Sequence, residues 1–209
     1  MSEYTKSLVK TKVDGKLAEM RKDYKGDGVP VILDESLNAL LLNVKIKNPK
    51  EILEIGTATG CSGIAMLNNC DGNLTTLETD SDVFLIAKKN FEDFGLSDRV
   101  TQYYGDAGEV ILSLEKTFDF IFLDGPKAHY LEYYPILKKM LNPGGVLFAD
   151  NVLFRGYVDP ANKFPRRFIT IVKRMRKFLS VVSEDEDFIS EVFDAGDGIL
   201  VAVKNKRQI

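Results

Sequence analysis

Two stretches of the chain hold the residue types from which a metal-assisted reaction can be built. DFIFLDGPKAHY (119–130) ends an apolar run on Asp124 and places Lys127 three residues later, just before the chain's only histidine, His129. GVLFADN (145–151) ends a second apolar run on Asp150-Asn151. Two carboxylates and an amide are hard oxygen donors. Brought together, they suit Mg²⁺, Mn²⁺ or Ca²⁺ rather than zinc and leave coordination positions for water and substrate. A third stretch, EILEIGTATGCSGI (51–64), carries Gly56, Gly60 and Gly63 between an apolar run and a helix-like segment. Glycine permits a tight turn and close approach of backbone to a ligand, and the helix start that follows favours a polar or anionic group. The spacing is G-x-x-x-G-x-x-G. It matches neither the dinucleotide pattern G-x-G-x-x-G nor a phosphate loop closed by Gly-Lys-Ser/Thr.

Three more acids fall at related places. Glu54 lies just before the glycine turn, Glu78 ends LTTLE, and Asp106 follows RVTQYYG. Acids at the ends of successive strands suggest a nucleoside site, with Glu78 suited to two hydrogen bonds from ribose hydroxyls.

These residues need a frame, and the hydrophobic pattern supplies one. Short β-like runs at 51–55, 74–78, 99–104, 118–123 and 145–150 alternate with helix-compatible segments, including 62–69, 81–95 and 128–141. Ser81 or Asp80 caps the 81–95 helix, Gly95 ends it, and Pro143-Gly144-Gly145 reads as a stop before the fifth strand. Alternating βα units predict a doubly wound α/β fold with a parallel sheet. The pattern changes at the end. FISEVFDA (188–195) and ILVAVK (199–204) are separated only by Gly196-Asp197-Gly198, which reads as an antiparallel hairpin. In such a sheet the fourth and fifth strands are neighbours, so Asp124 should meet Asp150 and Asn151 at the carboxyl edge.

At 209 residues without repeat, linker or low-complexity tract, the chain is expected to form one domain, 1–209, with residues 1–45 as its helical N-terminal segment. A net charge of −3 gives no overall pull toward nucleic acid or membrane, so any basic surface is local. No apolar run is long enough to span a bilayer, the charged start MSEYTKSLVKTKVDGK lacks a signal-peptide core, and two cysteines build no disulfide framework. The expectation is a cytoplasmic protein that does not engage membranes.

The glycine loop, the acids and the Asp124…Lys127…Asp150-Asn151 set together resemble the class I S-adenosylmethionine-dependent, metal-dependent O-methyltransferases of the catechol and caffeoyl-CoA type. The resemblance runs from VPVILDES to the last strand. It implies a Rossmann-like sheet of seven strands with the last antiparallel, and two cofactors, S-adenosylmethionine and Mg²⁺ (or Mn²⁺ or Ca²⁺). By that resemblance Glu54, Gly56 and Ser62 surround the methionine moiety, Glu78 the ribose, and Asp106 and Ala107 the adenine. Ile32 covers the cofactor from the N-terminal side. Asp124 belongs to the cofactor set and, with Asp150 and Asn151, to the metal set. Lys127 matches the general base: an acceptor hydroxyl acidified by the metal gives its proton to a lysine whose own pKa the metal depresses. Relatives pair as homodimers, with the N-terminal segment packed across the interface. Gly125-Pro126 departs from the family pattern between the metal acid and the lysine.

The loop DNVLFRGYVDP (150–160) and the ending DFISEVFDAGDGILVAVK resemble the bacterial tRNA 5-hydroxyuridine methyltransferases, which make 5-methoxyuridine at the wobble position. That implies tRNA as partner and Arg155 as a contact to it. The absence of tryptophan, used by catechol enzymes to wall their acceptor, points the same way. FPRRFITIVKRMRKFL (164–179) adds an amphipathic helix, with Phe164, Phe168, Ile171, Met175 and Phe178 on one face and basic residues opposite. Such a face binds phosphates or is merely solvated. A small catechol-like acceptor remains the alternative. A non-catalytic nucleotide-binding module and a nicotinamide enzyme are disfavoured by the acid set and the glycine spacing.

Overall fold

The computed structural model describes Tyr4, Ser7, Leu8, Val13 and residues 15–206. Much of the N-terminal segment expected to pack across a homodimer lies outside the described residues. Helices α1 (Gly15–Gly26) and α2 (Asp34–Lys47) precede the alternating part. There follow β1 (Glu51–Ile55), α3 (Cys61–Leu67), β2 (Asn73–Glu78), α4 (Ser81–Asp93), β3 (Val100–Tyr104), α5 (Ala107–Ser113), β4 (Phe118–Leu123), α6 (Tyr130–Met140) and β5 (Leu141–Asp150). Helix α7 (Ile169–Ser183) leads into the hairpin of β6 (Phe188–Phe193) and β7 (Ile199–Lys204). The strands form one seven-stranded sheet in the order β3-β2-β1-β4-β5-β7-β6. Pairing is parallel through β5, and β7 runs antiparallel to both β5 and β6. This is the doubly wound α/β sheet with an antiparallel last strand expected from the sequence.

The central strands are apolar throughout because helices cover both sides. Leu53, Ile121 and Leu123 pack on one side with Tyr130, Leu137 and Phe178 of α6 and α7. Ile52, Phe120 and Phe122 pack on the other with Leu37, Ile64 and Phe91 of α2, α3 and α4. Alternate residues of one strand thus serve two cores, and the strand ends are left for chemistry.

Local differences from the sequence reading have plain causes. Helix α4 is capped by Asp80, whose side chain accepts the N–H groups of Asp82 and Val83. Helix α5, absent from the sequence reading, is one short segment capped by Asp106 through Gly108 and Glu109. Pro143-Gly144-Gly145 does not stop the chain before β5. Leu141 already pairs with Phe118, and the next matched pair is Phe120 with Val146, so the turn residues bulge out of a strand that has begun. The amphipathic helix starts later than 164: Pro165 leads into a 3₁₀ turn (Arg166–Phe168), and α7 buries Val172, Met175, Phe178 and Val182. Phe164, Phe168 and Ile171 are only half-buried.

Candidate active site

The carboxyl edge of β1, β2, β4 and β5 opens into a cavity of about 630 Å³. Its floor is fixed by the glycine turn. Gly56 has φ +100°, and a Cβ there would lie 2.5 Å from the carbonyl oxygen of Asp124. Backbone meets backbone, so only glycine fits. Among the predicted residues, Ile32, Gly56, Ser62, Glu78, Asp106, Ala107, Asp124, Lys127, Asp150 and Asn151 all line this one cavity. Glu54 lies behind the wall, and Arg155 and His129 are exposed outside it.

At one end the acids are held by hydrogen bonds from the chain itself. Glu78 accepts the N–H groups of Thr79 (2.8 Å) and Asp80 (3.0 Å) on one oxygen and that of Ala58 (2.9 Å) on the other. Its carboxylate is aimed before any ligand arrives. Glu54 is fully buried and accepts Ser62 Oγ at 2.5 Å and Thr76 Oγ1 at 2.7 Å, and Thr76 also pairs with Thr57 at 2.6 Å. Burial pushes its pKa up to about 7 against the pull of those two hydroxyls. Glu54 thereby fixes Ser62, which lines the cavity. Asp106 spends one oxygen capping α5.

The other end is built from β4, β5 and the turns after them. Gly125 packs where a Cβ would sit 3.0 Å from Ile55 Cγ2, and Pro126 opens a 3₁₀ turn (Lys127–His129). This gives Gly125-Pro126 a structural reason: the pair turns the chain back so that Lys127 Nζ reaches Asp124 Oδ1 at 2.6 Å. Asp150 is 1% exposed. Its Oδ1 accepts Ser36 Oγ (2.8 Å) and the N–H of Asn151 (2.8 Å). Ser36 lies 114 residues away in α2 and has no motif of its own, and Asp197, a turn residue by its sequence, lines the cavity. The acid set in Gly-Asp-Gly was the one available signal.

Residues 3–205 match the O-methyltransferase family. The chain belongs to the O-methyltransferase family. This O-methyltransferase is 30% identical over 186 residues to the caffeoyl-CoA O-methyltransferase of Populus kitakamiensis, which covers 83% of this chain and 77% of that one. A Staphylococcus aureus crystal structure, provisionally named a caffeoyl-CoA O-methyltransferase, superposes with a TM-score of 0.87 at 25% identity, across 97% of this chain and 98% of that one. The Bacillus cereus O-methyltransferase solved in complex with SAH superposes with a TM-score of 0.83 at 26% identity, over 97% and 96% of the two chains.

Among the described residues of this O-methyltransferase, no three His, Cys, Asp or Glu side chains gather as a metal cluster. The donors at hand are two carboxylates and an amide. They fit a hard cation on one specific ground: Asp150 Oδ2 is buried with no hydrogen-bond partner among the described residues. Burial, and then the charge of Asp124, push the Asp150 carboxyl up to about 6. An unpaired buried carboxylate oxygen costs about 1–3 kcal/mol or more, which a cation held by Asp150 and Asp124 would offset.

Lys127 is pulled in two directions by its surroundings. Burial lowers its pKa, but the neighbouring Tyr130 and Asp124 outweigh burial and hold it above the ordinary lysine value. The lysine poised near neutrality was expected on the strength of a cation's charge. In the chain alone, Asp124 stands unopposed beside it.

The basic face of α7 is also partly spent. Arg174 donates to the Ala128 carbonyl (2.8 Å) and to Glu132 Oε1 (2.7 Å), and Arg176 to the carbonyls of Tyr157, Val158 and Asp159. His129 faces outward, paired with Glu132 Oε2 at 2.7 Å and stacked on Tyr133. Among the described residues no helix is long and apolar enough to cross a membrane.

Proposed function

We propose that the chain transfers the methyl group of S-adenosylmethionine to a hydroxyl chelated by a divalent cation, and that the acceptor is 5-hydroxyuridine at the wobble position of tRNA, giving 5-methoxyuridine. The observation that carries the chemistry is the single cavity, which joins the glycine loop, Glu78 and Asp106 to Asp124, Lys127, Asp150 and Asn151. Glu78, pre-aimed by three backbone amides, takes the ribose hydroxyls. Asp106 and Ala107 take the adenine, and Gly56, Ser62 and Ile32 surround the methionine end. Asp124, Asp150 and Asn151 would hold Mg²⁺ or a similar ion. That charge would acidify the acceptor hydroxyl and neutralise the carboxylates that keep Lys127 protonated. With the ion bound, Lys127 would release its own proton to solvent, and its neutral amine would then take up the proton of the acceptor hydroxyl.

The RNA acceptor rests on a second observation. Arg155, Lys163, Arg166 and Arg167 are exposed on the segment following β5, and none of them makes an ion pair among the described residues. Arg155 and Arg167 both lie over the Phe168 ring, at 6.0 and 4.8 Å from its centroid. Exposed cations without an ion pair, two of them over an aromatic ring, suit a phosphate backbone better than a small catechol.

The test is product analysis. Purified protein, S-adenosylmethionine and Mg²⁺ are incubated with tRNA containing 5-hydroxyuridine or with a catechol, and digested nucleosides and small molecules are weighed. Methoxyuridine is expected. Turnover of the catechol with none on tRNA would transfer the assignment to small-molecule chemistry.

A further inference from the structure

The turn Gly196-Asp197-Gly198 between β6 and β7 is wedged rather than merely reversing the chain. A Cβ at Gly196 would lie 2.4 Å from Ser36 Oγ, and one at Gly198 would lie 2.3 Å from Leu153 Cγ. The turn therefore touches both the hydroxyl that holds Asp150 and the loop that leaves Asp150. It is bonded to that loop repeatedly. Val152 N–H donates to the Gly198 carbonyl (3.0 Å) and Leu153 N–H to the Asp197 carbonyl (3.0 Å). Arg155 N–H donates to Asp197 Oδ1 (2.6 Å).

The loop needs such an anchor. Asn151, Phe154, Arg155 and Gly156 have φ of 55°, 44°, 60° and 73°. Each of the three non-glycine residues is in the left-handed region, at a cost on the order of 1 kcal/mol or more, and such a backbone persists only where its surroundings over-determine it. The ties at Val152 and Leu153 secure the start of the arch. At its tip, the amide donor of Arg155 goes to Asp197.

We propose that Asp197 is a positioning residue for the acceptor: by accepting the N–H of Arg155, its carboxylate holds the arch that carries Asn151 at one end and Arg155 at the other. The consequence for turnover rests on the methyl-transfer reading above, whereas the anchoring itself does not.

Two variants, Asp197→Ala and Asp197→Asn, test it in the full chain. Amide hydrogen exchange across 151–157 is expected to quicken at least ~10-fold in Asp197→Ala and to stay near wild type in Asp197→Asn, whose side-chain oxygen still accepts. With hydroxyuridine-containing tRNA as acceptor, or the catechol if that is the acceptor turned over, its KM should rise at least ~10-fold in the alanine variant while the dissociation constant for S-adenosylmethionine stays within about twofold. Should the alanine variant not fold, Asp197→Glu, longer by one methylene, displaces the arch and gives the same readouts. Unchanged exchange or an unchanged acceptor KM overturns the proposal. So does a loss of cofactor affinity in step with the acceptor KM, which marks a residue that only supports folding. If the wild type turns over neither acceptor while exchange responds as described, the anchor stands and the methyl-transfer reading alone fails.

Discussion

The two ends of the cavity are finished to different degrees. At the β1–β3 end, the chain satisfies its own acids: three backbone amides aim Glu78, and two hydroxyls surround Glu54. At the β4–β5 end, Asp150 keeps a buried oxygen with no partner among the described residues, Lys127 is locked to Asp124, and the loop that follows is held in left-handed backbone. The first end is pre-organised for a ligand it can bind as it stands. The second holds a buried carboxylate oxygen that a bound cation would satisfy. Preorganisation lowers the cost of binding, and an unsatisfied buried charge makes binding of its counter-ion favourable.

The largest effect should come from removing the acid that is left open. Asp150→Ala is expected to lower the methyl-transfer rate by about 10³-fold, or about 4 kcal/mol, with cofactor affinity changed less than about threefold. Lys127→Ala should cost about 10²–10³-fold in kcat under the same assay. If either variant instead weakens cofactor binding as much as turnover, the two ends are not separate and the contrast fails. The converse change, Glu78→Ala, should raise the dissociation constant for S-adenosylmethionine about 10–100-fold by calorimetry, as expected for hydrogen bonds to a charged group worth about 1.5–3 kcal/mol, while leaving divalent-cation binding intact.

The smallest effect concerns Glu54 and pH. Its carboxyl is raised from 4.5 to about 7 by burial, so the folded chain binds this proton more tightly than the unfolded one. The stability this contributes is fully present below the unfolded value and is lost as pH rises through about 7. Glu54→Gln should remove that slope. Between pH 5 and 8, denaturant unfolding should show the variant gaining on the wild type by an amount on the order of 1–2 kcal/mol. Parallel stability curves for the two proteins would show that Glu54 does not titrate in this range.

The same contrast governs what could be read from the sequence. Strand-end acids are legible because a parallel sheet sends every strand end to one edge, so Glu78, Asp106, Asp124 and Asp150 were found by position alone. The glycine turn was legible because Gly56 answers a local demand of the backbone. Contacts made across the fold were not. Nothing near Ser36 announces Asp150, and Asp197 looks like any hairpin turn until the arch it secures is seen. The basic face of α7 was legible as a pattern, yet the pattern could not tell that Arg174 and Arg176 are committed to carbonyls and Glu132 while Arg166 and Arg167 are not.

The central claim is that the β4–β5 end is completed by a cation and the β1–β3 end is not. Calorimetric titration of Mn²⁺ into the protein, with S-adenosylmethionine bound, tests it directly in wild type and Asp150→Ala. The account predicts one cation site in the wild type and its loss in the variant, at unchanged cofactor occupancy. A wild type that binds no cation, or a variant that binds it equally well, would contradict the account.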